Sequence, residues 1–171
     1  MSSFDTFYTE TAINTAKFES LNRHIDTDVC VIGAGMAGLS CAQSLRDLGK
    51  NVVLLEAKEV AWGASGRNGG FVFPGYANGQ DYIERKLGLK AAQSLFSISL
   101  EGVKIISDNI ERYNLNGVTK THGILSVIRY DNAPMIRDHC VNMQQKYDYE
   151  LEFVDPSAMS NYAQTDSYFQ G

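Results

Sequence analysis

DVCVIGAGMAGLSCAQSLRDLGKNVVLLE, running from Asp28 to Glu56, is the stretch from which the fold follows. Asp28 to Ile32 is a short apolar run, the pattern of a buried strand. Gly33-Ala34-Gly35-Met36-Ala37-Gly38 follows at once as a G-x-G-x-x-G. From Leu39 the apolar residues change to helical spacing, with Leu39, Ala42, Leu45 and Leu48 in step. Gly49 then stops the helix, and Val52 to Leu55 is a second strand closed by Glu56. Together these make one β-α-β unit.

Each glycine of the turn has a physical task. Gly33 lets the chain leave the strand sharply, Gly35 leaves room for a pyrophosphate beside the backbone, and Gly38 lets the helix pack close. The first amides of the helix point at the phosphates, and the helix dipole favours their negative charge. Glu56 falls within the ~20-residue interval after the last glycine at which a carboxylate meets ribose hydroxyls. It would repel a 2′-phosphate, so NADP is disfavoured. The unit by itself does not separate FAD from NAD.

With 171 residues the chain is long enough for one domain with a core, or one domain and part of another. Its net charge of −5 and lack of a basic face argue against a nucleic-acid partner. No apolar run approaches the ~20 residues of a membrane helix. MSSFDTFYTETAINTAKFES, at the start, lacks the apolar core of a secretory signal. Cys30, Cys41 and Cys140 have no C-x-x-C spacing, which argues against a disulfide framework or a zinc site and fits a reducing cytoplasm. No metal ligand set is expected.

Residues 1–27 read as a polar arm with aromatics at Phe4, Phe7, Tyr8 and Phe18, either flexible or docked on the body. Beyond the unit, Ala57 to Gly70 (AKEVAWGASGRNGG) is too rich in glycine and serine for regular structure. It follows the ribose-binding strand, so it lies at the phosphate end of the sheet unless it is simply a surface loop. Phe71 to Phe73 reads as a short strand. Gln80 to Asn114 reads as helical, broken at Gly88, with Leu95, Ile98, Val103, Ile106, Ile110 and Tyr113 turned to a core and Asn116-Gly117 ending it. Gly123 to Tyr130 reads as a strand, Ala133 to Tyr147 as a helix and Leu151 to Val154 as a brief strand. Asp155-Pro156 starts a helical turn. His122 and His139 have no partner at metal or triad spacing and read as structural or exposed.

TDVCVIGAGMAGLSCAQSL, VVLLEA, GASGRNGG and HGILSV…LEFVDPSAM together resemble the N-terminal part of FAD-dependent amine and amino-acid oxidoreductases of the D-amino-acid oxidase type. The resemblance runs from about Asp26 onward, and GASGRNGG is its most specific piece. It implies an α/β fold: a Rossmann-like FAD-binding domain with a helical insertion, then the start of a mixed α+β substrate domain. On that basis 1–27 is the arm, 28–115 the N-terminal part of the FAD-binding domain and 116–171 a partial substrate domain. The implied cofactor is FAD, and the implied reaction is oxidation of the C–N bond of a γ-glutamylputrescine-like amine in the cytoplasm. Gly33, Ala34, Gly35, Met36, Ala37 and Gly38 would cradle the pyrophosphate, and Glu56 would hold the adenosine ribose. Ser65, Arg67, Asn68, Gly69 and Gly70 would line the pyrophosphate and flavin ring, with Ala57, Lys58, Ala64 and Gly66 beside them. Arg67 would stabilise negative charge on the reduced flavin. Family members are more than twice this length, so the later strands and the C-terminal segment over the flavin are expected from the rest of the protein or from a partner chain.

Overall fold

Two short strands, β1 (Val29–Ile32) and β2 (Val52–Leu55), pair in parallel with Val29 opposite Val52 and Ile32 opposite Leu55. They belong to the first of two compact units, Met1–Phe71 and Val72–Gly171. The computed structural model describes residues 6–13, 16–164, 167, 168 and 171. Phe4, counted among the arm's aromatics, lies outside them.

The expected β-α-β unit is present. A short helix in the arm, α1 (Phe7–Thr11), precedes it, and α2 (Met36–Asp47) joins its two strands. α2 starts inside the glycine motif rather than at Leu39, because Gly35 takes the extended N-cap position and Leu39 N–H already donates to Gly35 O at 2.9 Å. Gly49 ends it as expected, its N–H donating to Arg46 O. At the other end of the strands, Asn51 N–H donates to Asp28 Oδ2 at 2.9 Å and Thr27 Oγ1 donates to Asn51 O at 2.8 Å. Parallel strands are usually covered on both faces, yet Ile32 is 86% exposed and only Ala34 of this unit's described residues is buried.

The second unit is a helical cluster. Gly88 divides α3 (Gln80–Leu87) from α4 (Leu89–Arg112), as the sequence indicates. α5 (Ala133–Tyr147) starts at an Asn132 cap, whose side chain accepts from Met135 N–H, and has proline in its first turn. Phe96, 4% exposed, meets the rings of Tyr147 and Tyr149 edge-on. Lys146 Nζ reaches Glu84 Oε1 at 2.9 Å and Tyr147 OH donates to Glu84 Oε2 at 3.0 Å. Asp155 caps the 3-10 turn Pro156–Asn161.

Several sequence expectations need correction here. The core face of α4 is centred on Ala92 and Phe96, while Ile98, Ile106 and Tyr113 are exposed. Alanine carries little hydrophobic signal in a periodicity, but it admits the closest helix packing. The end of α4 matches the expected one at about Tyr113, since the helix runs to Arg112 with Tyr113 as its C-cap and Asn114 takes a left-handed backbone at φ 45°. Phe71–Phe73 is not a strand, and neither is Leu151–Val154; Gly123–Tyr130 holds one isolated bridge residue, Ile128. A strand is completed by its neighbour's hydrogen bonds, and these segments have no ladder partner among the described residues. Val154 instead exchanges two backbone hydrogen bonds with Gly171, at 2.8 and 3.3 Å.

Candidate functional site

The candidate site is built where β1 becomes α2. Gly33 has φ +100°, and its N–H donates to Leu55 O at 2.7 Å, so the turn continues the strand pairing. A Cβ on Gly38 would lie 1.8 Å from Gly33 O, so the helix meets the turn backbone to backbone. No side chain caps α2 at Gly35. The first free amide, Met36 N–H, donates to Ser65 Oγ at 2.9 Å, and a Cβ on Gly35 would stand 2.9 Å from the same oxygen. The hydroxyl of Ser65 therefore sits in the space that Gly35 leaves, where the helix dipole attracts negative oxygen.

Glu56 projects from the end of β2 onto the same turn. Its Oε2 accepts from Ala34 N–H at 2.8 Å and its Oε1 from Lys58 N–H at 2.9 Å. These two amides, Ala34 first, hold the exposed carboxyl below its ordinary value of 4.5. A group lowered in this way is ionised at neutral pH and accepts hydrogen bonds only.

The loop 57–70 folds back against the turn. Ala61 N–H donates to Ala34 O at 2.9 Å. Ala64–Gly66 is a 3-10 turn, and a Cβ on Gly66 would lie 2.5 Å from Ala61 O. Asn68 ties the loop to itself, Nδ2 donating to Ser65 O and Oδ1 accepting from Gly70 N–H, both at 2.8 Å. Arg67 Cζ lies 4.7 Å and Lys58 Nζ 3.2 Å from the centre of the Trp62 ring.

The structure thus joins Gly33–Gly38, Glu56, Lys58 and Ser65 directly, and Asn68 and Gly70 through Ser65. Arg67 lies on Trp62. Two residues escaped the sequence reading: Ala61, whose φ is +59°, and Trp62, the one tryptophan of the chain. Trp62 stands between two cations in sequence, which was a legible signal. Ala61 gave none. Phe7, Tyr8 and Phe18 of the arm are all exposed, and Tyr8 alone of these is seen to reach the loop, its hydroxyl 2.8 Å from where a Gly70 Cβ would stand.

An open cavity of ≈ 510 Å³, lined by Asp26, Thr27, Arg46, Lys50 and Asn51 among others, lies at the amino ends of the strands. Open α/β sheets bind ligands at the carboxyl ends, so the cavity is set apart from the site. Among the described residues no group of His, Cys, Asp and Glu could hold a metal ion, and no helix is long and apolar enough to cross a membrane. His122 and His139 are exposed.

A glycine cradle, a helix start with Gly35 at its N-cap and an ionised acid at the second strand fit an adenine dinucleotide. Comparison with known proteins narrows this. The family described as "DAO: FAD dependent oxidoreductase" matches residues 28–171. Gamma-glutamylputrescine oxidoreductase of Escherichia coli (strain K12) is 34% identical over 162 residues, covering 95% of this chain and 38% of that protein. The probable oxidoreductase OrdL of Haemophilus influenzae is 39% identical over 109 residues, 64% of this chain and 25% of its own. OrdL of Rhizobium meliloti is 35% identical over 138 residues, 75% of this chain and 30% of its own. The chain therefore spans well under half the length of these relatives. No solved structure matches.

Proposed function

Because the chain belongs to the DAO family of FAD-dependent oxidoreductases, we propose that it is the cofactor-gripping part of an enzyme that oxidises the C–N bond of an amine. A γ-glutamylputrescine-like amine is the substrate suggested by the name of the Escherichia coli relative. In this reading 28–115 is the N-terminal part of the FAD-binding domain and 116–171 begins the substrate domain, in a cytoplasmic protein. The observation that carries it is the seating of the GASGRNGG segment on the glycine turn, through Met36 N–H and Ser65 Oγ.

Gly33, Ala34, Gly35, Met36, Ala37 and Gly38 would hold the pyrophosphate, with Ser65 sharing the helix start. Glu56 would hold the adenosine ribose, with Ala57 and Lys58 next to it. Ala64, Gly66, Arg67, Asn68, Gly69 and Gly70 would run along the flavin side. The chemistry that bound FAD would supply is acceptance, at flavin N5, of a hydride from the carbon beside the substrate nitrogen, which would leave an imine for water to hydrolyse. The chain's own residues bind, orient and place charge.

An absorbance spectrum of the purified chain with FAD, before and after anaerobic addition of a γ-glutamylated polyamine, tests this. A bound-flavin spectrum with quenched Trp62 emission is expected, followed by bleaching. If no flavin is retained, the cofactor assignment fails. Flavin that stays oxidised supports a second reading, a nucleotide-binding portion that needs the rest of the protein or a partner chain. The exposed Ile32 on an uncovered strand favours that reading.

Arg67 is assigned to electrostatic support of the reduced flavin. Arg67→Met is expected to lower the midpoint potential of the bound flavin by tens of millivolts, about 30 mV for each ~1.4 kcal/mol of lost charge stabilisation in a two-electron couple. An unchanged potential and an unchanged reduction rate would remove Arg67 from this role.

A further inference from the structure

The geometry points to Tyr8 as a positioning residue of the cofactor site, seated on Gly70 so that the arm holds the flavin-side loop in shape. This rests on the FAD assignment above and adds to it a segment that lies far from the glycine motif in sequence.

α1 buries none of its residues, so core packing does not account for it. It is closed by its own capping box, in which Thr6 Oγ1 accepts from Thr9 N–H at 3.2 Å and Thr9 Oγ1 accepts from Thr6 N–H at 2.7 Å. Phe7 stands edge-on to Tyr8, with ring centroids 5.6 Å apart. The Tyr8 hydroxyl then lies 2.8 Å, and Cζ 3.8 Å, from the point a Gly70 Cβ would occupy. The contact lies at the surface, and at φ +70° Gly70 holds a backbone that other residues rarely adopt. From Gly70 the connection continues through Asn68 to Ser65, and from Ser65 Oγ to the first amide of α2. A ligand that orders the loop therefore also orders the arm, and the arm by the same linkage strengthens the ligand.

The test uses the full chain, titrated with FAD and separately with ADP. ADP reaches the glycine turn, Ser65 and Glu56 but has no flavin to set against Arg67–Gly70. Tyr8→Ala, which removes the ring that reaches Gly70, is expected to weaken FAD by about 3- to 10-fold and to weaken ADP less. FAD is expected to slow chymotryptic cleavage of the arm at its remaining aromatics in the wild type and less so in Tyr8→Ala. Equal FAD affinity in the variant, or an equal loss for both ligands, overturns the role of Tyr8 and leaves the FAD assignment standing. So does cleavage that is indifferent to FAD. A wild-type chain that binds neither ligand overturns the FAD assignment, and this inference with it.

Discussion

Gly38→Val unfolds the Met1–Phe71 unit in the expected result, and Gly38→Ala weakens it. The first atom added at this position would stand 1.8 Å from Gly33 O and 3.0 Å from Gly33 C. Both are backbone atoms of the turn, so no rotamer change relieves the clash. α2 has to move off the turn, yet the turn is held by Gly33 N–H on Leu55 O and by Ala61 N–H on Ala34 O. Overpacking that side chains can absorb costs about 1–3 kcal/mol. A backbone clash belongs at the upper end of that range or beyond it, in a unit where Ala34 alone among the described residues is buried. Urea unfolding followed by circular dichroism should show a lower midpoint for Ala and loss of the first transition for Val. A wild-type midpoint in Gly38→Val would mean that the helix does not sit this close.

Glu56→Lys is expected to lower FAD affinity by roughly 100-fold, and Glu56→Gln by roughly tenfold, the scale of charge-assisted hydrogen bonds that are removed and replaced by repulsion. The carboxylate receives two N–H groups, from Ala34 and Lys58. Glutamine sets an N–H₂ against one of these donors, and lysine sets a cation against both. Because the folded carboxyl is lowered, its stabilising contribution is complete above its ordinary value of 4.5 and is lost as pH falls below that through the folded value. The wild type should therefore lose thermal stability under acid in a way that Glu56→Gln does not share. Fluorescence titration and melting curves at stepped pH measure both effects. Equal FAD affinity in all three proteins would detach Glu56 from the ribose.

Local signals were legible where a single segment supplies its own hydrogen-bond partners. Gly49 and Gly88 mark helix ends, and Asp155 marks a helix start, because a cap is satisfied within a few residues of itself. Glu56 was legible for a related reason: the β-α-β geometry returns the second strand to the turn, so its last residue meets Ala34. Ala61 gave no local sign, because its contact with Ala34 O depends on how loop 57–70 folds back.

The amino-acid sequence by itself determined the β-α-β unit and its glycine turn, since these rest on periodicity, capping and a short-range chain reversal, while the family rested on the resemblance carried by GASGRNGG and its companion motifs. Tertiary structure alone decided that Ser65 rests at the helix start, that Arg67 and Lys58 share Trp62, and that Tyr8 reaches Gly70. It also decided that Phe71–Phe73, Gly123–Tyr130 and Leu151–Val154 are not laddered strands. The reason is the same in each case: a strand ladder or a long-range side-chain contact is completed by a group elsewhere in the chain, and the spacing of residues within one segment does not report where that group will be.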